Sequence, residues 1–238
     1  MEPTEHNRRA WDEVHRRRTE AMEGQLGIPD PIRELLPDIE GKHVLHLQCA
    51  TGESTAELVE LGALVSAVDI SAEAIDVARE RAPDVAYVHA DVHDLPLELR
   101  RARFDLVYTG GGVLIWLNDL ESWATGISAA LRPGGMLLLY DEHPVGKCVD
   151  GLGHWRDDYF DEGPFVTTGW THFELPGPAP TEERNERHWQ LGQVVDAVVG
   201  AGLGVQQLVE FQTLDKWLQR DRRVPWEFAL LAEKNAEG

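Results

Sequence analysis

Acids stand in this chain where apolar runs end. Asp69 closes the run from Ala63 to Val68, Asp91 follows Val85–His89, and Asp141-Glu142-His143 follow Met136–Tyr140. In an open α/β sheet, polar residues at the C-terminal ends of strands face the ligand crevice. The pattern is sharpest before Asp69. Val44, Leu45 and Leu47 form one apolar run, which gives way to the small-residue loop Gln48-Cys49-Ala50-Thr51-Gly52. An amphipathic helix pattern follows from Glu53 to Leu61, then a second apolar run that ends in the acid. Strand, tight turn, helix, strand, acid is what a chain needs to hold a ribose-bearing cofactor. Small residues let backbone N–H groups approach the ligand, and Asp69 can accept hydrogen bonds from both ribose hydroxyls. A nicotinamide cofactor calls for G-x-G-x-x-G, and this loop has one glycine, Gly52.

The segment resembles the first motif and acidic second motif of class I S-adenosylmethionine-dependent methyltransferases, usually V-L-D-x-G-x-G-x-G. Here His46 stands for the acid, Gln48 and Ala50 for two of the glycines, and Gly52 is kept. A group within that superfamily, many of whose members act on small molecules or have no assigned substrate, carries the same H-L-Q-C variant. The resemblance runs from Asn7 and Trp11 to Trp226. It implies S-adenosylmethionine as cofactor and S-adenosylhomocysteine as product. It also implies a set of cofactor-binding positions: Trp11 on an N-terminal helical lid, Gln48, Cys49, Ala50 and Gly52 in the loop, Asp69 and Ile70 at the ribose. Asp91 and Val92 fall at the adenine, and Thr109, Gly110 and Gly111 at the methionine part. His46 is either a buried imidazole held by its surroundings or a neutral contact to the cofactor's amino acid end.

The elements that must position these residues alternate. Helix patterns span residues 4–22, 32–36, 71–81, 118–131 and 188–202. Strand patterns span 63–68, 85–89, 104–108, 136–140, 203–211 and 226–233. Arg132-Pro133-Gly134-Gly135 stops one helix and turns the chain back into the sheet. The β-α-β-α rhythm predicts a doubly wound, mostly parallel sheet covered by helices on both faces. The resemblance makes it seven-stranded and Rossmann-like, with an antiparallel partner near its end. Residues 143–188 break the rhythm with Pro, Gly and aromatics, and read as a cap inserted after the fifth strand. One domain is expected, with a lid (1–40), a cofactor core (41–142), the cap (143–188), and a last helix with closing strands (189–238).

Methyl transfer is an in-line displacement that needs a held donor, a nucleophile about 3 Å away and exclusion of water. The base candidates are His143 and Glu142 after the fifth strand, and His188 at the end of the cap. His143 stands first because an imidazole titrates near neutrality. Trp116, Trp155, Tyr159 and Trp170 are the candidate acceptor-binding aromatics. The run Glu182–Arg187 reads as a solvated face. Asp141, Glu142 and His143 are adjacent on a strand and cannot all face one ion, so no metal is expected.

The whole chain narrows the partners. Over 238 residues the net charge is −20, which opposes a nucleic acid substrate. The basic cluster Arg16-Arg17-Arg18 sits in a helix pattern and reads as a solvated face rather than a binding patch, and Arg220, Arg222 and Arg223, in a loop, are equally ambiguous. Two cysteines, Cys49 and Cys148, imply no disulfide framework and fit a reducing compartment. There is neither an apolar run of membrane length nor a signal core at the start. The expectation is a cytoplasmic enzyme, monomer or homodimer, that methylates oxygen, nitrogen or carbon of a small molecule. A macromolecular methyltransferase and a binding protein that has lost catalysis are the rivals.

Overall fold

The computed structural model describes residues 3–17, 27–170, 172, 175–214 and 220–235. The first strand, β1 (His43–Leu47), leads through the small-residue loop into α3 (Glu53–Glu60). It is preceded by α1 (Pro3–Arg17) and the short α2 (Asp30–Arg33). Next come β2 (Leu64–Asp69), α4 (Ala72–Arg81), β3 (Ala86–His89), β4 (Phe104–Gly110), α5 (Leu120–Ala130) and β5 (Leu131–Glu142). After β5 lie α6 (Pro144–Cys148) and the hairpin strands β6 (Phe165–Thr168) and β7 (Glu183–Glu186). The chain closes with α7 (Leu191–Gly200), β8 (Leu203–Phe211) and β9 (Glu227–Lys234).

The main sheet has seven strands in the order β3-β2-β1-β4-β5-β9-β8. β1 to β5 pair in parallel, whereas β9 runs antiparallel to both β5 and β8. The expected doubly wound sheet is therefore present. Its chain path reverses between β1 and β4, where the C-terminal strand ends diverge and a crevice opens. Parallel strands buried on both faces must be apolar along their length, and Val44, Leu45 and Leu47 or Leu137, Leu138 and Leu139 satisfy this. One face packs on α5 and α7 through Trp123, Ile127, Val194 and Val198. The other packs on α2 and α3 through Ile32, Leu58 and Tyr108. Each fully buried Leu or Val contributes about 1.5–3 kcal/mol to this sandwich.

The local signals work as their chemistry predicts. Ser71 caps α4, its Oγ accepting from Ala74 N at 3.2 Å, and Asp119 caps α5 by accepting from Ser122 N at 3.0 Å. The Arg132–Gly135 segment ends α5 as expected. It does so inside β5, since Leu131 already pairs with Phe104 and the chain bulges before Met136 pairs with Leu106. The predicted N-terminal helix is present to Arg17. Its expected continuation to residue 22, including Arg18, lies outside the described residues.

The cap departs from expectation. Glu182–Arg187 is not a solvated face: its centre is β7, with Arg184 and Asn185 buried. Four polar residues give no strand signal, and the cause lies at long range. Asn7 of α1 treats β7 as a pairing partner. Its Nδ2 donates to Asn185 O at 2.9 Å and its Oδ1 accepts from Asn185 N at 2.7 Å. Glu13 completes the clasp, accepting from Thr181 N at 2.9 Å and Glu182 N at 3.0 Å. α1 and the β6–β7 hairpin thus form one covering unit.

Candidate functional site

The crevice begins with backbone conformation. Gln48 and Ala50 hold φ of 54° and 46°, and Gly52 holds 82°. Left-handed conformations are uncommon for residues with a Cβ, and here alternate residues adopt them. Ala50 N is then turned toward Asp69 and donates to Oδ2 at 2.8 Å, while Ser71 N donates to Oδ1 at 2.9 Å. Asp69 is thereby fixed on the crevice wall. Burial raises its carboxyl above the usual range, and the N–H donors of Ser71 and Ala50 oppose that shift. Gly52 is needed for packing as well as for φ, because a Cβ there would come within 2.8 Å of Ala78 Cβ.

The opposite wall is the loop after β4. Gly111 and Gly112 have φ of 88° and 87°. Gly110 serves a different purpose from close ligand approach: a Cβ would lie 2.3 Å from Tyr140 Cδ1. Asp141 secures this loop from below. It accepts from Gly112 N (2.9 Å), Val113 N (2.9 Å) and Leu114 N (2.7 Å), and from Glu142 N (2.7 Å). Burial pushes its carboxyl up to about 6 against those donors. Gln48 crosses between the walls, Nε2 donating to Val113 O at 3.1 Å and Oε1 accepting from Thr109 Oγ1 at 3.2 Å. Thr109 thus holds Gln48 and does not itself line the crevice.

Of the predicted cofactor- and acceptor-binding residues, Trp11, Gln48, Cys49, Ala50, Asp69, Ile70, Gly110, Gly111 and Trp116 line the crevice. Gly52 underlies the loop, and Asp91 and Val92 stand apart. Asp91 accepts from His93 N at 2.9 Å and its Oδ1 lies 2.6 Å from His93 Nδ1; Val92 is buried. His46 is buried with Nδ1 2.8 Å from Thr55 Oγ1, and desolvation holds its pKa at about 3, so the imidazole is neutral. Burial drives the Cys49 thiol well above its ordinary range, so it stays protonated. His46 and Gly112, the third of the glycine run, also line the space; His15, Glu53, Ser54, Val113 and Tyr140 line it as well and were missed. His15 was within reach of sequence reasoning, since it follows Trp11 at helical i+4 spacing.

The roof is aromatic. Trp116 and Trp170 stack with centroids 5.6 Å apart and planes at 2°, and Trp11 meets both edge-on at 5.1 and 4.8 Å. His172 packs on Trp116 and Trp170 at 5.2 Å each. Two other predicted aromatics are elsewhere. Trp155 is 62% exposed, and Tyr159 turns its hydroxyl to accept from Leu191 N at 3.2 Å, which anchors the start of α7. A lone aromatic in a Gly-rich loop has no periodicity to give its direction.

The three base candidates separate. His143 is buried as the N-cap of α6, its Nδ1 accepting from Val145 N at 3.2 Å and its Nε2 3.0 Å from Glu210 Oε1. It lines neither the crevice nor the cleft beside it. Glu142 and His188 line that cleft, together with Lys147 and Arg187, behind the loop that ends the crevice. Glu142 is ion-paired to Lys147, which holds its carboxyl below the usual range despite burial. Burial lowers the His188 pKa, with Lys147 adding to the effect.

The residues present fit S-adenosylmethionine. Positive-φ backbone forms a cradle, an acid is fixed at the end of β2, and the neutral His46 does not oppose an ammonium group. Among the described residues no group of three or more His, Cys, Asp or Glu is placed to hold a metal ion.

Comparison with known proteins agrees with this geometry. A family model described as a methyltransferase domain matches residues 44–135. The trans-aconitate 2-methyltransferase of Azoarcus is 38% identical over 179 residues, covering 67% of this chain and 68% of that protein. That of Paracidovorax citrulli is 34% identical over 140 residues, covering 53% of each. With several curated relatives the match spans only about half their length. Among solved structures, an S-adenosylmethionine-dependent methyltransferase from Mesorhizobium loti superposes with a TM-score of 0.66 at 24% identity, over 86% of this chain and 96% of that one. That likeness speaks for the fold.

Proposed function

The chain belongs to the class I S-adenosylmethionine-dependent methyltransferases, and we propose that it methylates a small-molecule acceptor lodged between the cofactor crevice and the cap. The observation that carries this is the roof: indoles from α1, the loop after β4 and the cap meet over the crevice. An acceptor with a flat or apolar part would exchange its contacts for those between indoles.

Bound in the crevice, S-adenosylmethionine supplies a methyl group made electrophilic by its sulfonium. The chain's own residues hold, orient and dry. Asp69 and the Gln48–Gly52 backbone fix the donor's position, and Asp141 keeps the loop after β4 from drifting. The indoles exclude water, which strengthens the electrostatics within the site. Where the acceptor atom starts protonated, His188 is the base candidate to test: burial lowers its pKa, and from its cleft behind the loop it could serve only an acceptor that reaches past the crevice.

A net charge of −20 supports a small acceptor over a nucleic acid. Relatives named for trans-aconitate and for malonyl-[acyl-carrier protein] make carboxylic acids the first class to assay. The test is S-adenosylhomocysteine release by the purified chain with phenols, amines and carboxylic acids, trans-aconitate included. Turnover with at least one class supports the reading. Tight binding of S-adenosylhomocysteine by calorimetry, with no turnover on any class, would make the chain a cofactor-binding protein without catalysis.

A further inference from the structure

We propose that Arg187 is the residue that recognises the acceptor, by holding an acceptor carboxylate in the cleft it shares with Ile115, Lys147 and His188. This rests on the methyl-transfer reading above and names the acceptor class for it.

Arg187 is half-buried, and its Nε is enclosed with no hydrogen-bond partner. Its guanidinium makes no ion pair among the described residues; its one marked contact is with the Trp189 ring, 5.5 Å from Cζ to the centroid. A sheltered donor without a partner is costly, and among the described residues Arg187 has the one guanidinium nitrogen in that state. Acids are not scarce here: the chain has 42 against 22 Lys and Arg. Its other partly sheltered arginines use them. Arg8 pairs with Glu5, Arg17 with Glu13, Arg81 with Glu53, Arg184 with Glu186 and Arg220 with Glu227.

The remaining charges in the cleft are already engaged. Lys147 pairs with Glu142, and Asp141 is taken by backbone N–H groups. His188 is neutral. One guanidinium is left over, and its planar fork matches a carboxylate.

The placement suits an anchor. Arg187 N donates to Ile115 O at 2.8 Å, and Trp189 Nε1 donates to Leu117 O at 3.0 Å. Residues 187–189 are therefore tied to the loop whose earlier part, Gly110–Val113, walls the cofactor crevice. The cleft has room for little more than the carboxylate itself, so the rest of an acceptor held on Arg187 would lie outside it.

The experiment uses 15N-labelled protein loaded with S-adenosylhomocysteine, with the Arg187 Nε–H resonance assigned by its loss in Arg187→Lys. Benzoate, phenylacetate and trans-aconitate are titrated in turn, with phenylacetamide as the neutral isostere. At least one carboxylate should shift the resonance while the amide does not. Arg187→Ala should weaken that carboxylate by about 10–100-fold, the worth of a charged hydrogen-bonded contact. Arg187→Lys should fall between, and both variants should keep wild-type S-adenosylhomocysteine affinity, which verifies folding. If all three carboxylates leave the resonance unmoved, or if Arg187→Ala binds them as well as wild type does, Arg187 is not the anchor. A wild-type chain that ignores S-adenosylhomocysteine would remove the parent reading as well, a result separable from the first by calorimetry.

Discussion

Asp141 shows how one residue can look catalytic in a sequence and act on backbone instead. It ends a strand beside the crevice, as a base should, yet its oxygens are spent on four N–H groups. Its folded pKa of about 6 lies above the unfolded value of about 3.9. Between those values the native state binds the proton more tightly, so this group favours folding as pH falls through the window. Locally the effect is opposite, since a protonated oxygen accepts less well from Val113 N and Leu114 N. Hydrogen exchange at Gly112–Leu114 should therefore quicken relative to the sheet as pH is lowered from 7 to 5. Exchange that keeps pace with the sheet would show that the clamp does not depend on charge. Asp141→Asn imitates the protonated state and should weaken S-adenosylhomocysteine about tenfold, as expected for one charged hydrogen bond. His143 carries the parallel lesson: a histidine near neutrality drew attention by its chemistry, but its Nδ1 caps a helix.

The elements were legible where apolar period and turn residues agreed. β1 to β5, their intervening helices and the Pro-Gly-Gly stop were readable because each is specified within its own segment. The cap hairpin was not, because what orders Glu183–Glu186 is an asparagine on α1, far away in sequence. The clasp has a mechanical reading. α1 supplies Trp11 and His15 to the crevice wall, so freeing it from β7 should open the crevice. Asn7→Ala removes a buried donor and a buried acceptor, at about 1–3 kcal/mol. We expect S-adenosylhomocysteine to leave about tenfold faster, measured by stopped-flow displacement, with little change in the melting of the sheet. An unchanged off-rate would mean that α1 does not gate the crevice.

At the scale of the molecule, the acidic excess is the dominant fact. A net charge of −20 repels itself, and exposed ion pairs return little of that cost. Raising NaCl from 20 to 200 mM shortens the screening length to below about 10 Å and should raise Tm by several degrees. A flat or falling Tm would mean that screened ion pairs matter more than self-repulsion. From composition alone the same charge leads one to expect nucleic acid to be a poor partner. Composition could not reveal that the half-buried guanidinium of Arg187 has no ion pair among the described residues, since that depends on which of many acids the fold brings near. Among the described residues no helix is long and apolar enough to cross a membrane.

The parallel indoles of Trp116 and Trp170 have an optical consequence. Two identical chromophores with planes at 2° and centroids 5.6 Å apart couple their transitions, and the pair should absorb at a displaced ultraviolet wavelength relative to an isolated indole. An acceptor that slides between or beneath them would erase that displacement. The protein would then report its own loading without a label, and a library of candidate acceptors could be sorted by light before any product is sought.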